Sequence, residues 1–295
     1  MFIIKNKVIF FIIAIVLVAG SIVTMAVKGF NVGVDFTGGS VLEVAYDNRP
    51  AVSEVRAHIA PVQADAELQE VGASGLIVRT PVIDQAQKDA VLAALSFGDA
   101  HATEKRFNTI GPTVGKQLQS KSILSVIVVS IAIILFIAFA FRKVSRPISS
   151  WVYGLIAIVV LVHDVVIPAG FFAMFGWQVD TLFVVGLLTI LGVSINDTIV
   201  VFDRIRENLH TNETKHIKED FSYTVGKSIN QTFTRSVMTS VTVLIALAAL
   251  YLYGPETTRT LATAMFLGMF FGTYSSIFLA SPLLVVWNNY KQKNK

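Results

Sequence analysis

Six apolar stretches, a polar insert after the first of them and a low charge content predict an α-helical integral membrane protein. Its six transmembrane helices carry a small α+β, ferredoxin-like extracytoplasmic domain. Hydrophobic residues make up 54% of the 295 and charged residues 15%, against about 25% charged in a soluble domain. A water-soluble globule is excluded. Disorder is excluded as well, because 21 Phe and many Val, Ile and Leu supply ample apolar surface. With no cysteine there is no disulfide framework, thiolate metal site or cysteine nucleophile. The net charge of +4 does not point to nucleic acid, since in a membrane protein the placement of Lys and Arg matters more than their sum.

A span needs roughly 20 mostly apolar residues. The spans are expected at about 8–27, 123–141, 151–175, 182–202, 237–253 and 261–287. The first has a basic flank, Lys5 and Lys7, and small residues Ala19, Gly20 and Ser21. Its apolar run outlasts a signal-peptide core and continues past those residues, which predicts an uncleaved anchor. The fifth is short and the sixth long, so the sixth is expected to tilt or kink near Pro282.

The domain organisation follows: residues 1–28 as the first helix, 29–120 as the extracytoplasmic domain, and 121–295 as five helices with a cytoplasmic linker helix at about 205–235. Arg142, Lys143 and Arg146 follow span two; Arg204, Arg206, Lys215, Lys218, Lys227 and Arg235 follow span four; Lys291, Lys293 and Lys295 end the chain. The loop after span three has no Lys or Arg, and the loop after span five has Arg259 alone. By the positive-inside rule both termini are cytoplasmic and the insert lies outside.

Within the insert, residues 31–46 read as two strands around Thr37-Gly38-Gly39-Ser40, a turn that uses glycine's freedom at positive φ. Helical patterns at 51–62 and 84–95, the latter with Asp84 as N-cap, alternate with strands at 67–71, 76–82 and 103–109. The resulting β-α-β-β-α-β order is that of a ferredoxin-like unit.

Charge in hydrocarbon costs at least a few kcal/mol, so ionisable residues within a span are functional candidates. His163 and Asp164 sit halfway along span three, a possible intramembrane polar pair, although adjacent residues point about 100° apart and are expected to have different partners. Asn196 and Asp197 lie in the inner half of span four, where Thr189, Gly192, Asn196 and Asp203 form a small, polar stripe that should face helices or water. Asn196 and Thr189 read as packing glue through hydrogen bonds. Asp197 reads as functional, because a carboxylate is poor glue unless neutralised or paired. Arg235, just before span five, reads from position alone as a residue that snorkels to the headgroups.

Ala264, Gly268, Gly272, Ser276 and Ala280 recur every four residues in span six. The Gly268/Gly272 GxxxG pattern is expected to seat another helix and to support assembly with a partner. Ile217, Phe221, Val225, Ile229 and Phe233 form an apolar stripe, expected as an amphipathic linker helix at the cytoplasmic interface or as a packed helix. Gly226-Lys227-Ser228 lacks the first glycine of a phosphate loop, since 221 is Phe, and 111–116 fails on spacing. No metal-ligand cluster or Ser/His/Asp arrangement is evident. An ion-coupled machine without cofactors is more natural than an enzyme.

Several segments together resemble the SecF family. These are Val34-Asp35-Phe36-Thr37-Gly38-Gly39, Ile110-Gly111-Pro112-Thr113-Val114-Gly115, His163-Asp164, the run 194–208 from Ser-Ile-Asn-Asp-Thr-Ile-Val to Arg-Glu-Asn, Ser228-Ile229-Asn230-Gln231 with Arg235-Ser236, and Gly272-Thr273-Tyr274-Ser275-Ser276. The resemblance covers the whole chain. The departures are Val193, where an aromatic is common, and Ser236, where Thr is common.

The resemblance implies half of a twelve-span complex with SecD in the resistance–nodulation–division superfamily. It implies work with the SecYEG channel and the SecA motor on preproteins at the bacterial inner membrane, with the proton gradient as energy source and no cofactor. Asp197 and Arg235 match the family's proton-pathway carboxylate and the arginine beside it, which raises Arg235 above a mere anchor, and Asn196 next to Asp197 joins them as a proton-pathway candidate. A bracing subunit without proton work, or a small-molecule exporter of the same superfamily, are the alternative readings. The single short half argues against the exporter.

Overall fold

The computed structural model describes residues 2–140 and 148–293. Arg142, Lys143, Arg146 and Lys295, and residue 141 of the second expected span, lie outside the described residues. The chain divides into two compact units, residues 32–123 and residues 1–31 with 124–295.

The smaller unit holds four strands, β1 (Gly39–Ala45), β2 (Glu67–Val71), β3 (Gly75–Thr80) and β4 (Thr103–Ile110), and two helices, α1 (Val52–Ile59) and α2 (Gln85–Leu95). The sheet runs β2-β3-β1-β4 with every neighbouring pair antiparallel. Alternate residues of the central strands, Leu42 and Val44 of β1 with Leu76 and Val78 of β3, are buried on one face. They pack with Val55 and Ile59 of α1 and with Val91 and Leu95 of α2. Asp84 caps α2 as expected: its Oδ1 accepts from the Gln87 N–H at 2.8 Å, and Gln87 Oε1 accepts from the Asp84 N–H at 3.0 Å. Tyr46 donates its hydroxyl to the Leu95 carbonyl at 3.0 Å, and burial pushes that phenol up to about 12.

The expected hairpin over 31–46 is not there. Val34–Thr37 form a single helical turn, closed by the Thr37 N–H to the Gly33 carbonyl and the Gly38 N–H to the Val34 carbonyl. Gly38 then takes φ 76° and ψ 158°, a combination essentially restricted to glycine, and Gly39 takes φ 138°. The two glycines therefore release the chain from a helical turn into β1 instead of linking two strands. They also make room. A Cβ on Gly38 would stand 2.8 Å from Pro112 Cα, and one on Gly115 would stand 2.8 Å from the Phe36 carbonyl oxygen. The Phe36–Gly39 turn is thus seated against the helix that starts at Pro112.

The larger unit is built from helices long and apolar enough to cross a membrane. Span one is Lys7–Lys28, and span two is Pro112–Ala140, whose first turns belong to the smaller unit. Span three is Ser150–Phe175, span four Thr181–Thr214 and span five Phe221–Tyr253. Span six begins at Arg259–Ser275 and passes through a π-turn at Ser276–Ala280 into Ser281–Lys293. The irregularity expected near Pro282 is this π-turn. Proline lacks the N–H that would close the preceding turn, and the wider turn absorbs that loss.

Spans three, four and six form the interior, and spans one, two and five lie more on the outside. The separate linker helix expected at 205–235 is absent. Spans four and five each run beyond their apolar windows, Ile217 falls in the connection between them, and Phe221, Val225 and Ile229 are buried. No proline interrupts 221–237 and the helix runs through Gly226, so the apolar period simply continues into span five. Asn208 Nδ2 donates to Ser228 Oγ at 2.8 Å and Asn212 Nδ2 to Thr224 Oγ1 at 3.2 Å, tying the two extensions together.

The small-residue stripe of span six faces span four of the same chain rather than a partner. A Cβ on Gly268 would run into the Ile190 side chain, and one on Gly272 would stand 2.9 Å from Ser194 Oγ. Gly186 of span four returns the fit against Ala264.

Candidate functional site

Polar side chains converge where spans three to six cross. Asp197 of span four is 7% exposed, and its Oδ2 accepts from Ser240 Oγ of span five at 3.3 Å. Ser240 Oγ is 2.8 Å from the Ser236 carbonyl and accepts from Thr273 Oγ1 of span six at 2.7 Å. Ser240 has one hydrogen and two possible acceptors for it. It can donate to Asp197, or it can donate to the Ser236 carbonyl and itself accept from Asp197. Both protonation states of the carboxyl can therefore be hydrogen-bonded without moving a helix.

A second group lies on the span three side. His163 and Asp164, 2% and 0% exposed, face each other: His163 Nδ1 lies 2.9 Å from Asp164 Oδ1. The expectation of different partners fails here, because a side chain has enough reach to close the 100° between adjacent helical positions. Ser194 Oγ of span four donates to Asp164 Oδ2. Below it, Thr198 Oγ1 and Ser276 Oγ are 2.8 Å apart, and Ser276 Oγ donates to the Ser194 carbonyl at 3.3 Å. The His163 ring lies along that of Tyr274, with centroids 6.0 Å apart, and the Tyr274 hydroxyl donates to the Phe10 carbonyl of span one at 2.7 Å. His163 Nε2 is buried without a partner among the described residues.

Asn196 points the other way. With Thr189, Gly192 and Asp203 it is exposed along one face of span four, so among the described residues no helix covers this polar stripe. Arg235 is exposed on span five, and among the described residues no ion pair joins it to Asp197. Its backbone carbonyl accepts from Thr239 Oγ1 at 2.8 Å. Gly268 and Gly272 are placed as described, with Gly272 backing Ser194. Sequence reasoning missed Ser194, Ser240 and Thr273. Their signal was hydroxyl residues one turn apart, Ser236 and Ser240, and a Ser three before Asp197.

Three comparisons place the chain among known proteins. The family model described as protein export membrane protein SecD/SecF, C-terminal, matches residues 90–290, and the SecD/SecF GG motif matches residues 23–48. The second match covers the Gly38-Gly39 turn. The chain is 34% identical to protein translocase subunit SecF of Sebaldella termitidis over 99% of this chain and 93% of that one. It is 37% identical to SecF of Anaerolinea thermophila over 99% and 96%. It superimposes on the crystal structure of SecDF from Thermus thermophilus with TM-score 0.84 and 31% identity, covering 97% of this chain and 38% of that longer one. SecDF in its super-membrane-facing form gives TM-score 0.67 at 31% identity, covering 99% and 39%. This multi-pass membrane chain belongs to the SecF family of protein translocase subunits, within the SecD/SecF protein export membrane proteins.

Proposed function

We propose that the chain works with SecD to convert the proton gradient into late translocation and release of preproteins across the bacterial inner membrane. It acts beside the SecYEG channel and SecA, with both termini in the cytoplasm and residues 29–120 outside. It needs no cofactor and makes no covalent change in its substrate. The observation that carries this reading is Asp197, a carboxyl in the helix interior whose Ser240 partner can serve it charged or neutral. A carboxylate in hydrocarbon is costly, and a site that accommodates both states lowers the barrier to loading and unloading a proton. Arg235 stays protonated and acts on Asp197 through its charge rather than by releasing a proton. The exposed Thr189, Gly192, Asn196 and Asp203 face supports a partner subunit there, since a polar face gains nothing from lipid.

The test is gradient-driven completion of preprotein export in membrane vesicles containing the chain with SecD and SecYEG. Asp197→Asn keeps the size but cannot cycle between two charge states. Normal gradient dependence in that variant, at matched membrane levels, would leave a bracing role.

A further inference from the structure

The geometry points to His163, Asp164 and Ser194 as positioning residues that set the rotation of span four, and so the direction in which Asp197 presents its carboxyl. The inference rests on the proton-carrying role proposed for Asp197.

Ser194 and Asp197 are three residues apart and share one side of span four. Ser194 is held from two directions. Span three offers Asp164 Oδ2 as acceptor for its hydroxyl, and span six presses Gly272 against it, where a Cβ would come within 2.9 Å of Ser194 Oγ. The Asp164 carboxylate is itself oriented, because His163 Nδ1 stands at 2.9 Å from its other oxygen. The imidazole plane is set in turn by Tyr274, whose hydroxyl is anchored on the Phe10 carbonyl.

Span three is shaped to this purpose. Pro168 lies inside it and lacks the N–H that would bond the Asp164 carbonyl, four residues before. The local helix is thereby loosened at the residue that reaches across to span four. A buried ionisable pair is a costly way to pack three helices, since small apolar residues would pack them as well. Orientation of a polar neighbour is what the pair adds.

The required accuracy is small in distance. Turning span four by about 20° would move a carboxyl roughly 6 Å off the helix axis by about 2 Å. The Ser240–Asp197 contact is already 3.3 Å and would be lost. The charged and titratable groups nearest these contacts are Asp197 on span four, Arg235 on span five, His163 and Asp164 on span three and Tyr274 on span six, with Tyr153 further along span three, Asp203 and Arg204 further along span four and Lys227 further along span five. Span one contributes the Phe10 carbonyl.

The readout is the pH profile of Asp197 modification by dicyclohexylcarbodiimide, which attacks protonated carboxyls in apolar surroundings. It is followed by mass spectrometry on the full-length chain with SecD in membranes. Ser194→Ala removes the hydroxyl and little volume. Its profile should shift by about one pH unit or more, a tenfold change in proton concentration. Asp164→Asn keeps an acceptor for Ser194 and should shift less than Asp164→Ala. Profiles of all three that superimpose on the parent would overturn the positioning role and leave the proposed function standing. A parent Asp197 whose modification ignores pH would overturn both. Should Ser194→Ala fail to insert, the Asp164 pair of variants decides by the same criterion.

Discussion

The hydroxyl of Ser240 stands 3.3 Å from Asp197 Oδ2 and 2.8 Å from the carbonyl of Ser236, so one hydrogen on span five has two acceptors, one of them on span four. Because Thr273 of span six also reaches Ser240, at 2.7 Å, three helices meet on a single oxygen. A change of proton at Asp197 would thus reach spans five and six at once.

Ser240→Ala removes that oxygen and leaves Asp197 without a hydroxyl partner. The variant should insert and assemble with SecD, with gradient-driven export falling between the parent and Asp197→Asn. Export kinetics in vesicles with and without a proton gradient measure this. Parental kinetics would remove Ser240 from the path.

Arg235 is exposed and forms no ion pair with Asp197 among the described residues, so any effect it has on that carboxyl acts through space. Arg235→Lys keeps the charge and should retain part of the gradient-driven export, while Arg235→Met should lose most of it. Coupled residues give an Asp197→Asn, Arg235→Met double variant no worse than the poorer single one. Additive, mild defects would mark Arg235 as a membrane anchor.

Gly268→Leu forces a side chain into the space of Ile190. Overpacking of this kind costs about 1–3 kcal/mol. Since the contact is internal to the chain, thermal unfolding of the purified chain alone in detergent should show the loss. An unchanged midpoint would mean that span six can slide on span four.

Gly38→Ala meets two obstacles, a backbone region foreign to other residues and Pro112 Cα at 2.8 Å. Backbone strain alone is worth about 1–3 kcal/mol. Hydrogen exchange should accelerate in β1 and in the first turns after Pro112, and remain at the parental rate in α2.

Glu219, in the connection between spans four and five, accepts from Asn212 Nδ2 at 3.1 Å and faces Lys227 Nζ at 3.4 Å. The Asn212 hydrogen bond first, and then the Lys227 charge, hold its carboxyl below the usual glutamate range. A depressed carboxylate stabilises the folded form above its unfolded pKa, and that stability is lost as pH falls through the lower folded value. Hydrogen exchange of the 215–221 connection should therefore speed up on acidification below the ordinary glutamate range. Glu219→Gln should flatten that dependence, and an acid response that persists in the variant would assign it to another group.

The amino-acid sequence by itself determined the six spans, the insert, its β-α-β-β-α-β order and the family. These depend on local composition and period, such as the apolar runs and the alternation of Leu42 with Val44 and of Leu76 with Val78. It also marked His163, Asp164 and Asp197, because charge within an apolar run is visible without any fold. The helical turn before Gly38 was not legible, since glycine at positive φ serves a hairpin or a helix exit equally well. Nor was the continuation of spans four and five past the apolar windows, because Asn208, Asn212, Thr224 and Ser228 look like solvated positions until they pair. Which hydroxyl reaches which carboxyl was decided by tertiary structure alone. Ser194 lies 30 positions from Asp164, and Ser240 lies 43 from Asp197. Hydrogen bonds act over about 3 Å, so these pairings form only where helices pack closely, as Gly268 and Gly272 of span six do against Ile190 and Ser194 of span four.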